Sequence, residues 1–191
     1  RIEIDTPPTA ILQRGSMSLK VRAIRDEGFD NAITLRLPWK PSGIGSSGTI
    51  SLPKGNSKID YPLTANGSAA IGTWKIVVLG EANTKTGPLI VSSALTELRI
   101  EKPFMNIKIE MAAIERGQAG DLFCKVEQLR PFEGEAVVQL IGLPAHTSTE
   151  SRKITKDTKE LIFPIQSTKN ARASTSKTLF TAINIPWNVH V

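Results

Sequence analysis

The side chains that most often carry out chemistry in proteins are sparse in this sequence. One cysteine, Cys124, and two histidines, His146 and His190, occur in 191 residues. Cys124 alternates with Leu122 and Val126, so we predict a small core residue, because a nucleophile would need a base and a cleft beside it. Two isolated histidines do not assemble a metal site or a triad. We therefore predict no catalytic, cofactor-binding or metal-ligating residue, and no cofactor.

Three carboxylates lie close together in the stretch "RDEGFD", which contains Asp26, Glu27 and Asp30. Carboxylate oxygens are the ligands that calcium takes in proteins. The stretch lacks the glycine and aspartate spacing of a recognised calcium loop. A solvated acidic turn is the favoured interpretation, and a calcium site is the alternative.

Two further motifs are interpreted as loops. The glycine-rich stretch "SGIGSSG" is followed by a predicted strand, whereas a phosphate cradle needs a helix and usually a lysine at a fixed spacing. Asn66-Gly67-Ser68 fits the glycosylation triplet, but its residues are also those of a turn.

The tryptophans are the residues that could contact a sugar. Trp39 continues the inward phase of Ile33, Leu35 and Leu37, so we predict that it fills or caps the core. Trp74 begins a later strand and fits either a core or an exposed position. An exposed aromatic ring near the end of a β-sandwich could stack on a sugar, although aromatic residues total only 5%, too few for a nucleic-acid stacking platform.

Charge and composition narrow the range of partners. The net charge of +6 comes from 13 basic and 9 acidic residues in 1–102, and from 11 and 9 in 103–191, so neither half carries a block of one sign. This weakens a nucleic-acid function, while a basic excess can favour anionic polysaccharide or an acidic partner. No apolar run approaches the ~18 residues of a membrane helix, and no signal peptide precedes Arg1. A chain that begins without Met is expected to be a piece of a longer protein.

The chain contains an internal repeat. Arg-Gly pairs begin at Arg14 and Arg116, an offset of 102, and an offset of 102 or 103 carries matching apolar and turn residues over much of the chain. A period near 100 is too long for a solenoid and suits whole domains in series. We predict two copies of one domain, residues 1–102 and 103–191, with almost no linker between them.

The local pattern predicts strands throughout. "MSLKVRAI" and "AITLRLPW" alternate apolar and polar residues, and turn-forming stretches separate similar segments. About seven strands per copy, with turns every 8–12 residues, predict an all-β chain of two tandem immunoglobulin-like β-sandwich domains. Pro62 and Pro164 occupy matching strand positions and predict an edge position or a bulge.

The second copy is expected to differ at its end. The last strand of the first copy, around 89–100, maps to 191–202, so the second domain either finishes with "NIPWNVHV" or lacks its closing strand. An open sandwich edge would be a site for pairing with another strand.

The run "ILQRGSMSLKVRAIRDEGFDNAITLRL", continued by "AAIGTWKIVVLGEA", resembles immunoglobulin-like modules that recur in large exported bacterial proteins. The resemblance spans nearly the whole chain in two copies. The second copy has the family's "GLP" turn in "GLPAH" at 142–146, and the first departs from it with "WKPSG". The resemblance implies the β-sandwich fold and an extracellular or cell-envelope location, and no catalytic residue comes with it.

These features lead to one main hypothesis and two alternatives. The main hypothesis is a non-enzymatic spacer or adhesion-type module of a larger secreted or surface protein, which contacts other domains of that protein or a protein partner. The alternatives are a carbohydrate-binding module for polysaccharide and a self-assembling component of an envelope or filament. An enzyme is disfavoured, because no nucleophile, base and orienting group can be assembled.

Overall fold

The computed structural model describes residues 1–185, and every regular element in that part of the chain is a β-strand. The predicted all-β class is therefore confirmed. Contacts divide the chain into two compact units, Arg1–Pro103 (unit 1) and Phe104–Val191 (unit 2). No helix in residues 1–185 has the length and apolarity needed to cross a bilayer.

Unit 1 contains eleven strands in three sheets, so the predicted count of about seven strands per copy is wrong for this unit. The strands are β1 (Ile2–Ile4), β2 (Ile11–Leu12), β3 (Ser16–Ala23), β4 (Ile33–Arg36), β5 (Ile44–Ser46), β6 (Ile50–Leu52), β7 (Lys58–Ala65), β8 (Gly72–Ile76), β9 (Leu79–Thr84), β10 (Gly87–Ser92) and β11 (Thr96–Glu101). The sheet orders are β1-β3-β7-β5, β10-β9-β4-β6 and β2-β11-β8. Only the β2–β11 pair is parallel.

The core of unit 1 follows from strand alternation. On β3, Leu19, Val21 and Ala23 are buried while the residues between them face solvent. Inward side chains of all three sheets join them in one cluster, in which Tyr61 and Leu98 are fully buried. Burying apolar surface contributes about 25 cal/mol per Å², so this shared cluster holds the three sheets together.

Unit 2 contains seven strands within residues 104–185. They are β12 (Met105–Ile109), β13 (Ala119–Gln128), β14 (Ala136–Ile141), β15 (Thr147–Ser148), β16 (Arg152–Ile154), β17 (Glu160–Ser167) and β18 (Phe180–Asn184). They form two sheets, β12-β13-β17-β15 and β16-β14-β18. Their inward side chains form a second core around Phe163 and Val138.

Two central strand pairings of unit 1 recur in unit 2 in the register of the sequence repeat. Leu19 of β3 lies opposite Tyr61 of β7, and Leu122 of β13 lies opposite Phe163 of β17. The offset is therefore 103 on the first strand of the pair and 102 on the second, as in the sequence alignment. In the other sheet Thr34 lies opposite Glu81 and, 103 residues later on both strands, Val137 lies opposite Asn184.

The repeated Arg-Gly pair is out of step with this register. In unit 1 the turn closes with a Gly15 N–H to Leu12 C=O hydrogen bond, and in unit 2 with Gln118 N–H to Glu115 C=O. The turn therefore repeats at 103, which places Arg14 on Gly117, and both have positive φ. The pairs at 102 match in letters, but a different residue takes the left-handed conformation in each unit.

The prolines occupy locally unpaired positions of interior strands. Pro62 lies opposite Ser18 on β3, and β5 pairs with β7 only at residues 63–65, so no strand covers the other side of the proline. In unit 2, β15 likewise ends before Pro164. The prediction of an edge position is therefore correct for the two prolines, although β7 and β17 are interior strands. A proline has no N–H to donate, so it fits a position that no neighbouring strand covers.

Candidate functional site

Among the described residues, the structure does not assemble a reactive site around Cys124 or His146. Cys124 is 1% exposed in the core of unit 2, which confirms its predicted position. Burial raises the pKa of its thiol, and the charge of Glu110 adds to that shift, so the nucleophilic thiolate is disfavoured. His146 lies in a turn with φ 65°, at the position that Gly43 occupies in unit 1 with φ 80°. His190 lies outside the described residues.

The acidic loop is organised by cations. Asp26, Glu27 and Asp30 are exposed, and Asp30 pairs with Lys54 at 3.3 Å. Arg25 donates hydrogen bonds to the backbone carbonyls of three residues around it. Within residues 1–185 no three His, Cys, Asp or Glu side chains are grouped so that they could hold a metal ion. The geometry fits a solvated acidic turn.

The glycosylation triplet is a turn, whereas the glycine-rich stretch is only partly a loop, because β5 (Ile44–Ser46) lies within it and pairs with β7. The side chain of Asn66 accepts hydrogen bonds from the N–H and hydroxyl of Ser68, which makes the triplet an Asx turn. Gly43 in the glycine-rich loop has φ 80°, and a Cβ at this position would collide with the backbone of Ala69. The close approach of these two loops explains the glycine without a ligand.

Trp39 is not a core residue, so that prediction is wrong. Its side chain is 52% exposed. Strand β4 ends at Arg36, and the inward phase that starts at Ile33 and Leu35 does not extend past Pro38 to Trp39. A periodicity argument fails at the residue where the chain leaves the sheet, because alternation exists only within the strand.

The exposed Trp39 ring instead lies beside Trp74. The ring centroids are 6.0 Å apart and the planes are tilted by 50°. Trp74 is partly buried against the core of unit 1, and its indole N–H donates to the carbonyl of Ala70 at 2.9 Å. One fixed ring thus supports a second ring that faces solvent. Ile71, which is also exposed, precedes the strand that carries Trp74.

A recess of unit 2 contains an unpaired acceptor that the sequence did not single out. The recess is open, and Gln128, Lys156 and Lys159 contribute to its lining. The Gln128 side chain donates to the carbonyl of Thr155, while its Oε1 is buried without a hydrogen-bond partner among the described residues. A single amide does not build a binding site, so this recess defines no chemistry.

The other conspicuous surface of unit 1 is strand β10. It is the outer strand of its sheet and pairs with β9 through a two-residue turn. Leu89, Ile90 and Val91 are 46%, 55% and 38% exposed, so apolar side chains face solvent on both sides of the strand. The side chain of Thr84 donates to the carbonyl of Gly87 and fixes the turn. The candidate surfaces are therefore the tryptophan pair and the β10 edge.

Comparison with known proteins identifies no family. No protein-family model matches the chain, and no curated protein matches it. Among solved structures, the chain is similar to the "D0-D1 domain of Intimin", with 11% identity and a TM-score of 0.32 over 97% of this chain and 90% of that one. A protein of unknown function from Porphyromonas gingivalis W83 is similar at 9% identity and a TM-score of 0.33, over 87% of this chain and 80% of that one. At these TM-scores the similarities carry no functional argument.

Proposed function

We propose that the chain is a non-enzymatic structural and interaction module, built as two tandem immunoglobulin-like β-sandwich domains, 1–102 and 103–191, of a larger secreted or cell-surface protein. The observation that carries the proposal is the repeated register, in which β3–β7 and β4–β9 recur as β13–β17 and β14–β18. A register shift of one residue would turn every inward side chain outward, so agreement over two sheets supports a repeated domain.

The distribution of polar side chains supports a role without catalysis. The only thiol is buried, and the one described histidine lies in a turn. Ion pairs such as Lys20–Asp60 and Lys75–Glu97 connect neighbouring strands at the surface. Such cross-strand pairs suit a body that positions other domains or offers its edges and loops to a partner.

The resemblance to modules of exported bacterial proteins supports a location outside the cell or in its envelope. An antibody against this chain is expected to label intact cells that produce the parent protein. Labelling that requires permeabilised cells would contradict the proposed location.

A replacement experiment distinguishes a spacer from an interaction module. Residues 1–191 of the parent protein are exchanged for an unrelated tandem β-sandwich pair of similar length. If the chain is only a spacer, the parent protein keeps its function after the exchange. If the chain is an interaction module, the parent protein loses its function, because the exchange removes the surface that contacts the partner. A parent that functions equally well with both units deleted would overturn the proposal.

The tryptophan pair favours carbohydrate binding as a second candidate. The exposed indole of Trp39 contacts the indole of Trp74, which is held by a hydrogen bond. The Trp39 ring therefore offers a flat apolar face against which the C–H face of a sugar ring can pack. We expect Trp39→Ala to abolish binding of oligosaccharides from envelope polysaccharide in titration calorimetry. Phe123→Ala, which removes an exposed ring in unit 2, is the matched control. This candidate fails if the unaltered chain binds none of them or if Trp39→Ala binds as well.

A further inference from the structure

Strand β10 has the properties that sheet edges usually avoid. It is six residues long, its exposed side chains are largely apolar, and residues 86–96 contain no charged side chain. Natural edge strands are typically short or carry charges or proline, because unpaired N–H and C=O groups recruit other strands, and of these features β10 has only Pro88. The opposite edge of the same sheet is the three-residue β6, and β1 carries Arg1 near its start and Glu3 within it. Among the described residues, no strand pairs with the outer side of β10.

The proline on β10 shows which backbone groups face outward. Pro88 lies opposite Asn83 and has no N–H, so the hydrogen-bonded pairs with β9 fall on the alternate residues, Gly87, Leu89 and Val91. The Asn83 carbonyl accepts from the side chain of Asn31, on the side of β9 away from β10, in agreement with this phase. Ile90 and Ser92 therefore direct their N–H and C=O groups to the open edge, and Pro88 directs its C=O there.

This set of groups is complementary to itself under a two-fold rotation. With Ile90 opposite the partner's Ile90 in antiparallel orientation, the two residues exchange two N–H to C=O hydrogen bonds. The N–H of Ser92 then meets the C=O of the partner's Pro88, and the symmetric bond forms on the other side. The missing N–H of Pro88 costs one bond on each side, and its ring makes the two strands diverge there, which is possible because Pro88 lies at the end of the paired segment.

The side chains match in the same arrangement. Leu89 and Val91 lie opposite the buried Ala82 and Gly80 and project from the core-facing side of the sheet. In the two-fold pair, Leu89 comes beside the partner's Val91 and Val91 beside the partner's Leu89. Ile90 meets the partner's Ile90 on the opposite face. Both faces of the junction therefore bury apolar surface, and no charged side chain of either β10 is desolvated.

We propose that the protein associates with a second copy of itself through β10, so that the sheets of two unit 1 domains join into one continuous eight-stranded sheet. The partner is a second copy because an isologous contact requires one surface to complement itself, and the outward groups of β10 do so about Ile90. The proposal goes beyond the function given above, since a tandem spacer or adhesion module works equally well as a monomer.

The first experiment measures the mass of the full chain in solution by sedimentation velocity over a range of concentrations. The unaltered protein is expected to shift from monomer to dimer as concentration rises. Ile90→Pro removes an N–H that faces away from β9, and Ile90→Lys places a charge at the two-fold axis, so both should remain monomers at every concentration. Ile162→Lys, a similarly exposed isoleucine on β17, should dimerise as the unaltered protein does. The melting temperatures of the variants show that each is folded.

A crosslinking experiment tests the register. Residues in a hydrogen-bonded antiparallel pair have Cα atoms about 5.5 Å apart, within the range that a disulfide spans. Ile90→Cys should therefore form a covalent dimer on mild oxidation. The unaltered chain should form none because Cys124 is buried, and Ile162→Cys serves as the control.

Three results would overturn the proposal: a monomeric unaltered protein at all concentrations, dimers that persist in both Ile90→Pro and Ile90→Lys, or no preferential crosslink at residue 90. None of these outcomes touches the repeated strand register or the exchange experiment on the parent protein. Failure of the dimer is thus distinguishable from failure of the proposed function.

Discussion

The described parts of the two units share five strand pairings and differ in how their cores are closed. Unit 1 adds the sheet β2-β11-β8, which buries Leu98 and Ile100 against its core. The described part of unit 2 has no third sheet. Leu12 of β2 corresponds to Glu115 at the structural offset and Ile11 to Ile114, which is only partly buried and lies outside any strand. A similar segment thus becomes a strand only where a partner strand, β11, lies beside it.

The same difference separates the two sheet edges. In unit 1, β9 lies between β4 and β10, whereas β18, its equivalent, pairs only with β14 among the described residues. The exposed Phe180 lies at the start of β18. Strand β10 thus covers the edge of β9 and presents an apolar edge of its own.

The largest effect is expected from truncating the equivalent aromatic residues at the centre of each core. Tyr61 and Phe163 are both fully buried. Phe163→Ala should destabilise unit 2 by about 3–5 kcal/mol with little change in unit 1, and Tyr61→Ala should do the reverse, because each cavity forms in a separate core. Calorimetric unfolding of the full chain measures both transitions. A single transition that both variants shift equally would show one core where we describe two.

An intermediate effect is expected from exchanging the two aromatic types. The Tyr61 hydroxyl donates to the carbonyl of Ser47 at 2.8 Å, so Tyr61→Phe should cost roughly 0.5–1.5 kcal/mol. Phe163→Tyr buries a hydroxyl in a core that contains only apolar side chains, and it should cost about 1–3 kcal/mol. Urea titration measures both. If Phe163→Tyr is neutral, unit 2 has an acceptor equivalent to that of Ser47.

A smaller effect, of opposite sign, is expected at the left-handed positions. Arg14 and His146 have φ 64° and 65°, while Gly117 and Gly43 occupy the equivalent positions with φ 78° and 80°. Arg14→Gly and His146→Gly should each stabilise their unit by up to about 1 kcal/mol, because a side chain is strained at positive φ. Gly117→Ala and Gly43→Ala should destabilise. Stabilities that do not change in either direction would mean that the turns relax.

The smallest effect is expected from thiol reagents on the folded protein. Because burial and the raised pKa protect Cys124, the native chain should react slowly with a maleimide, and reaction should follow the opening of unit 2. In Tyr61→Ala the labelling rate should match that of the unaltered chain, and in Phe163→Ala it should rise. Mass spectrometry measures the rate. Equal acceleration by both substitutions would contradict independent cores.

Much of the strand framework could be predicted from local patterns. Leu19, Val21 and Cys124 were predicted to face inward from alternation alone, and they are buried. Trp39 shows the limit of alternation as a predictor. The alternation that predicts a buried Trp39 assumes that β4 continues to residue 39, and only Pro38 marks the end of the strand in the local sequence. The tryptophan pair could not be predicted for a different reason: Trp39 and Trp74 are 35 residues apart in the chain and meet only in the folded unit.

Local patterns in the chain are enough to predict the all-β class, the inward face of each long strand and the 102–103 residue repeat, because alternation and turn chemistry depend on residues that are close in sequence. The order of the strands, the parallel partner of β2 and the edge position of β10 become apparent only in the folded chain. These features depend on contacts between residues far apart in sequence. The side-chain pattern of a strand specifies which of its faces is buried, but it specifies less strongly which strand pairs with it.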